Sequence, residues 1–360
     1  MTIPPKMKAM VLMGHGGLDK YEWHEDWLTP SPGPMEVLIR VGACGLNNTD
    51  VNTRTGWYSK AVSEATTGGA YADVAEEDPT WGGRPLTFPR IQGADVVGIV
   101  VAVGEGADAT LIGRRVMVNG WLRDWDDPDN MDKTGYYGSE CDGGFAEFAT
   151  ADARNVVPVD SDLSDAALAT FACSYSTAEG MLSRANVGAG DTVLVPGASG
   201  GVGGALVQLA KLRGARVIAM ASEAKHDEVA KLGPDRILPR APADLRAALG
   251  DEKVTVVADV VGGPCWPRLI DILERGGRYT CSGAIAGPIV EFDLRTFYLR
   301  DLTFTGSTVL SPQVFENIVR HIEQGRLQPV LAATYPLREL REAQQAFIDK
   351  THTGNIVVIP

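Results

Sequence analysis

The chain is poor in organised sulfur. Its five cysteines, Cys44, Cys141, Cys173, Cys265 and Cys281, are scattered and none sits in a Cys-x-x-Cys pair. This spacing argues against a disulfide framework and against a structural zinc knot, and leaves most of them as reduced core thiols. Positive charge is also short: 33 Lys and Arg face 46 Asp and Glu, a net charge of −13. Nonspecific binding to nucleic acid or to an anionic membrane surface is therefore disfavoured. No run approaches the roughly 20 apolar residues of a membrane span. The opening MTIPPKMKAMVLMG lacks the charged-then-apolar order of a secretory signal, so a cytoplasmic protein is expected.

What is present is a chain of 360 residues with 44% hydrophobic content, enough to bury two cores. The first third reads as short strands between turn signals: KAMVLM, then EVLIRVGACG after PSPGP, VVGIVVAVG and RRVMV. This pattern predicts a small barrel or sandwich. Two stretches interrupt it, Ser59 to Arg90 and Asn119 to Gly144, the second carrying Trp121, Trp125, Tyr136 and Tyr137 among several aspartates. Segments of this length in a compact domain are either lids or variable surface loops.

After Pro158 helices and strands alternate. LSDAALATFACSYSTAEGML has helical spacing with Ser164 as its N-cap, and DTVLVPG reads as a buried strand. GGALVQLAKLRG is a helix ended by Gly214, and ARVIAMA, VTVVADVVGG and GRYTCSGA are further strands, DILERGG lying between the last two. The succession predicts an α/β fold with a doubly wound parallel sheet. SPQVFENIVRHIEQG predicts a helix ended by Gly325, and the chain closes on the strand GNIVVI. The expected organisation is a β-rich catalytic domain over 1–160, a dinucleotide-binding domain over 161–305, and a return to the first domain over 306–360.

The strongest chemical signal is the stretch 191–221, where a strand runs into Gly197, Gly200, Gly201, Val202 and Gly203, followed by a helix and a second strand. Glycines at such a turn let the backbone approach a pyrophosphate, whose charge meets the free N–H groups and positive end of the helix. The second strand ends in Met220-Ala221-Ser222-Glu223-Ala224-Lys225. It lacks the strand-end acid that usually binds the ribose of NAD, while Ser222 and Lys225 suit a 2′-phosphate. NADPH is the expected cofactor, with NADH the alternative.

On PSPGPMEVLIRVGACGLNNTD, GADVVGIVVAVG, IGRRV, DGGFAEFA, the GASGGVG turn, DVVGG and GNIVVI, the chain resembles the medium-chain dehydrogenase/reductase superfamily over nearly its whole length. The resemblance implies a GroES-like catalytic domain beside a Rossmann domain, with hydride transfer between cofactor and substrate. Zinc members take catalytic ligands from Cys-Gly-x-Cys-His, from Gly-His-Glu and from a later Cys or acid. Here those positions hold Asn47, Ala94 and Cys173, and only Cys141 falls in the segment that carries four structural cysteines in zinc members. One thiolate with an amide and a methyl does not make a three-ligand zinc site, so no metal is expected.

The zinc-free, quinone oxidoreductase-like branch carries Gly-x-Asn-x-x-Asp followed by Arg-x-Gly-x-Tyr, and Gly45 to Asp50 and Arg54 to Tyr58 match both in register. The resemblance assigns Asn47 to the nicotinamide or a substrate carbonyl. It assigns Tyr58 to the substrate, either as proton donor or as a wall aromatic. It also implies that Thr177, Ser282, Gly283 and Ala284 contact the cofactor. The usual Gly-Lys-Ile-Val near the end is Gly354-Asn355-Ile356-Val357 here, which removes a cation.

Without a metal Lewis acid, a conjugated acceptor is easier to reduce than a simple ketone, because the developing charge spreads into an enolate. The expected reaction is therefore NADPH-dependent, zinc-independent reduction of a quinone or α,β-unsaturated carbonyl compound. The alternatives are a metal-free alcohol or polyol dehydrogenase, an enoyl-CoA reductase, and a non-catalytic NADPH-binding sensor or structural protein. Relatives of this kind imply a homodimer, with the LTFTG edge strand as the pairing element.

Overall fold

The computed structural model describes residues 2–69, 71, 84–128 and 130–360. The chain divides into two compact units, one of residues 1–62, 67–173 and 311–360, the other of 63–66 and 174–310.

The first unit is built on a seven-stranded sheet. Its path runs Leu331–Pro336, Asn355–Ile359, Glu36–Gly45, Asp95–Val103, Arg115–Val118, Val156–Pro158, and Phe148–Asp152 pairs with Glu36–Gly45 off this path. A separate antiparallel pair joins Lys6–Leu12 to Tyr21–Leu28. Val37, Ile39, Val96, Val100, Val116, Phe145 and Val358 bury their side chains in one core. Removing that apolar surface from water is the dominant stabilising term. Two bulges in the pairing of Glu36–Gly45 with Asp95–Val103 bend the central strands, and Gly45 ends opposite Asp95. Helix α1 (Asn48–Thr55) follows immediately.

Helix α2 (Ala172–Arg184) precedes the second unit's sheet. The single helix expected from Ser164 onward is two. Ser164 caps a short turn, Asp165–Leu168, and α2 then starts afresh. The break has a local cause: the Thr170 hydroxyl bonds the Ala167 carbonyl at 2.7 Å, in competition with helix propagation.

The second unit is a six-stranded, all-parallel sheet. Its strands are β1 (Thr192–Val195), β2 (Arg216–Ala221), β3 (Arg236–Pro239), β4 (Val254–Asp259), β5 (Leu273–Cys281) and β6 (Thr303–Gly306), in the order β3-β2-β1-β4-β5-β6. This is the doubly wound arrangement, with its crevice at the β1/β4 reversal. Helix α3 (Gly201–Leu212) links β1 to β2, and Gly214, left-handed at φ 78°, turns the chain back. Leu273 to Gly277 belong to β5 itself, and the Gly pair is absorbed in a register shift against β4. Leu194, Ile218, Val257, Leu269 and Tyr279 form the core on this sheet.

All five cysteines are free thiols. Among the described residues no helix is long and apolar enough to cross a membrane. Much of the Ser59–Arg90 stretch expected to be a lid or surface loop, residues 70 and 72–83, lies outside the described residues.

Candidate functional site

The polar centre of the first unit grows from the cap of α1. Asn47 is extended at φ −133° and ψ 163°, and the Asp50 carboxylate reaches back to accept its N–H at 2.8 Å, the reciprocal cap that starts a helix. Gly56, left-handed at φ 77°, stops it, and the chain folds back so that the Tyr58 hydroxyl meets the side chains of Thr49 and Asn52. One short helix thus brings Asn47 and Tyr58 together. Burial raises the Tyr58 phenol to about 12, opposed by Thr49 and Asn52.

Beneath the cap lies a second carboxyl. Gly93, at φ 97°, has no room for a side chain: a Cβ there would stand 2.6 Å from Phe145 and 2.8 Å from the Cys44 sulfur. That turn delivers Asp95 into the interior at 1% exposure, beside the Asn47 amide. Asp95 Oδ1 accepts the Cys173 N–H at 3.0 Å, and the Asn47 amide lies beside the same carboxyl. Burial is the main cause of two raised acids. It lifts Asp50 to about 7, against N–H groups of Asn47 and Gly93, and Asp95 to about 8, against the Asn47 amide and with the charge of Asp50 adding to it. The pair therefore holds at least one proton at neutral pH. The same burial, with both carboxyls nearby, pushes up the fully buried Cys44 thiol.

Cys173 is half-buried at the start of α2, and Tyr136 reaches it with its hydroxyl. Behind α1 the Arg54 side chain is fully buried, bonding the carbonyls of Gly16 and Gly68 and, at 3.1 Å, Gln344 Oε1. Gln344 donates to the Tyr21 hydroxyl at 2.8 Å, Tyr21 donates to Gln92, and Gln92 to the Asp50 carbonyl at 3.1 Å. This network fixes α1 through the Arg54 side chain and the Asp50 carbonyl.

The residues expected at the cofactor fall along the C-terminal edge of the second unit's sheet. Gly200, Gly201 and Val202 follow β1, Ser222 and Lys225 follow β2, and Ser282, Gly283 and Ala284 follow β5. Gly200 is the extended N-cap of α3, and Gly197 is left-handed at φ 66°. A Cβ on Gly203 would lie 2.2 Å from the Gly197 carbonyl oxygen, so α3 packs on β1 only because that side chain is missing. This free helix N-terminus and close-packed turn fit a dinucleotide pyrophosphate. Thr177 is a buried residue of α2. Asn355 opens its strand in the first unit, its N–H on the Val330 carbonyl at 2.8 Å.

Three participants escape sequence reasoning. Ala221 pairs with Pro239, so Arg240 stands beyond the ends of β2 and β3 with its charge on Lys225. The Lys225 ammonium is lowered first by burial and then by Arg240. The other two are Asp95, whose meeting with Asp50 depends on sheet register, and Tyr136.

Asn47 and Ala94 carry an amide and a methyl, neither a zinc donor, and among the described residues no three His, Cys, Asp or Glu gather closely enough to hold a metal ion.

A doubly wound sheet with a phosphate-binding turn, in one chain with a β-rich unit that encloses amide, phenol and carboxyl groups, defines a nicotinamide-dependent oxidoreductase. The family model described as alcohol dehydrogenase GroES-like domain matches residues 33–161, and that of zinc-binding dehydrogenase matches 201–324. A solved structure of a putative alcohol dehydrogenase from Sinorhizobium meliloti 1021 is 45% identical, covers 99% of this chain and 98% of that one, and superposes with a TM-score of 0.90. Acryloyl-coenzyme A reductase of Metallosphaera sedula is 28% identical over 362 residues, 98% of this chain and 99% of its own. Quinone oxidoreductase of Rattus norvegicus is 27% identical over 354 residues, 95% and 94%. The chain belongs to the medium-chain dehydrogenase/reductase superfamily, in its quinone oxidoreductase-like branch, and is an NAD(P)H-dependent enzyme with a GroES-like and a Rossmann domain.

Proposed function

We propose that this enzyme is an NADPH-dependent, zinc-independent reductase of quinones or α,β-unsaturated carbonyl compounds. The observation that carries this reading is the replacement of metal donors by neutral hydrogen-bond donors. Asn47 is 7% exposed with its amide beside the Asp95 carboxyl, and Tyr58 stays protonated up to about pH 12. Such donors hold a developing enolate oxygen without a metal, and they serve conjugated acceptors better than simple ketones.

NADPH, when bound, supplies the hydride. Gly200, Gly201 and Val202 would hold its pyrophosphate, and Thr177, Ser282, Gly283 and Ala284 would hold its nicotinamide portion. Ser222, Lys225 and Arg240 receive the 2′-phosphate, for which paired cations and a hydroxyl are the matching chemistry. Asn47 orients the substrate carbonyl through its amide, and Tyr58 donates a hydrogen bond to the same oxygen. Asp50 fixes the backbone of Asn47, and Asp95 fixes that of Cys173. Relatives named acryloyl-coenzyme A reductase favour a thioester form of the same chemistry as the second reading.

In the assembled enzyme we propose a homodimer formed through the exposed edge of β6 and helix α4 (Leu294–Tyr298). Leu294 and Tyr298 there are exposed, as is Ile289 just before it.

NADPH oxidation measured against a quinone, a cyclic enone, an enoyl-CoA and a simple ketone tests the function. Turnover of the conjugated acceptors with little on the ketone is expected. Cofactor binding without oxidation by any acceptor would turn the assignment to a sensor.

A further inference from the structure

The segment Asn119–Gly144 stands out in the sequence for its aromatic residues and has no assigned role. Two of those residues are adjacent tyrosines used in different ways. Tyr137 is fully buried and donates its hydroxyl to the Thr150 carbonyl at 2.6 Å, the expected arrangement for a core tyrosine. Tyr175 is likewise buried with its hydroxyl 2.7 Å from Gln208. Tyr136 is only 3% exposed, yet its hydroxyl goes to the thiol of Cys173. This contact sets the phenol beside the half-buried thiol.

The placement of Tyr136 is built in. The strand Gly135–Tyr136 pairs with Trp121–Leu122, Trp121 lies opposite Tyr136, and their rings are 4.9 Å apart. Gly120 provides the floor: a Cβ there would stand 3.1 Å from the ring and 3.5 Å from the hydroxyl. Cys173 also lies near enough to Tyr58 for its charge to act on that phenol, and is anchored through its N–H to Asp95. One half-buried thiol therefore lies near two phenols, one from the end of α1 and one from the hairpin.

We propose that Tyr136 is a second catalytic donor of this site, a phenol that hydrogen-bonds and protonates the substrate oxygen opposite Tyr58; this rests on the reading of the enzyme as a conjugated-carbonyl reductase. With NADPH bound, the cofactor would supply the hydride that forms the new C–H bond at the β carbon of the substrate. The C=C electron pair shifts to join the α and carbonyl carbons, and the carbonyl π pair moves to oxygen. The Tyr136 O–H bond breaks as the proton passes to that oxygen, giving the enol, and the phenolate regains a proton from water. The enol then tautomerises to the saturated carbonyl, so substrate has gained one hydride and one proton. The displaced Cys173 thiol loses only a weak hydrogen bond.

The test uses the full chain, NADPH and 2-cyclohexenone or 1,4-benzoquinone. Tyr136→Phe keeps the ring and should retain the melting temperature and the Kd for NADPH. It should lower kcat on the enone roughly 10-fold to 100-fold, within the usual range for a lost general acid. It should also change the rate of iodoacetamide alkylation at Cys173, read by mass spectrometry, because the hydroxyl has left the thiol. Gly120→Ala, which crowds the ring without removing the hydroxyl, is the second variant and should lower kcat to a smaller degree. An active wild type with kcat unchanged in both variants, while Tyr58→Phe is impaired, overturns the role of Tyr136 and leaves the reductase reading standing. A wild type that oxidises NADPH with no acceptor overturns that reading itself, and with it this role.

Discussion

Asp95 and Cys173 are joined by a 3.0 Å hydrogen bond from the cysteine backbone N–H to the carboxyl Oδ1, and through it a buried acid holds the residue that stands in a zinc-ligand position of the family. The same carboxyl lies beside the Asn47 amide and feels the charge of Asp50. Elements from distant parts of the sequence meet at this bond.

Because Asp50 and Asp95 are raised to about 7 and about 8, the folded state binds more protons than the unfolded state between roughly pH 4 and pH 8. Their contribution is present in acid and is lost as pH rises through the folded values. The unfolding free energy from urea titrations should fall across this window, by at most about 1.4 kcal/mol per pH unit for each group, and the urea midpoint with it. Asp95→Asn should flatten the slope. A midpoint rising from pH 5 to pH 8 in the wild type would contradict the assignment.

Arg54→Met should destabilise the first unit by roughly 3 kcal/mol or more, since the Gly16 and Gly68 carbonyls and Gln344 Oε1 lose their donor in a buried setting. Denaturation followed by tryptophan fluorescence of the first unit, which holds Trp23, Trp27, Trp57, Trp121 and Trp125, measures this. Arg54→Lys should recover part of the loss, since lysine lacks the planar fork that reaches three acceptors.

Much of this architecture is legible in the sequence. The alternation of strands and helices after Pro158 and the glycine turn around Gly200 specify the parallel sheet, and Gly214 and Gly325 mark true helix ends, both being left-handed. These are local signals. The break at Thr170 turns on one side-chain hydrogen bond, which periodicity does not register. Asp95 meets Asp50 because Gly45 and Asp95 are paired across the sheet, and Arg240 approaches Lys225 because Ala221 is paired with Pro239. Tyr136 and Tyr137 look alike in sequence, and the hairpin register alone gives them different partners. Strand register is set by tertiary packing, so it is where single-sequence reasoning stops.

Cofactor choice should follow the two cations after β2 and β3. Lys225→Ala and Arg240→Ala should each raise the KM for NADPH roughly 10-fold, the loss of one charge-assisted hydrogen bond, while the KM for NADH stays nearly constant. Equal effects on both cofactors would remove the 2′-phosphate from the account.

The exposed side chains of α4 supply the test of assembly. Leu294→Asp with Tyr298→Asp should convert a dimer into a monomer by light scattering, without changing the melting of the isolated fold by more than a few degrees. A monomeric wild type at micromolar concentration contradicts the dimer.

The central claim is reduction of a conjugated acceptor without a metal, and one measurement addresses it directly. The purified enzyme is dialysed against a strong chelator, its zinc content is determined, and NADPH oxidation with 1,4-benzoquinone and 2-cyclohexenone is followed. The account predicts substoichiometric zinc and turnover equal to that before dialysis. Stoichiometric zinc before dialysis, with activity lost on its removal and restored on its return, would contradict it.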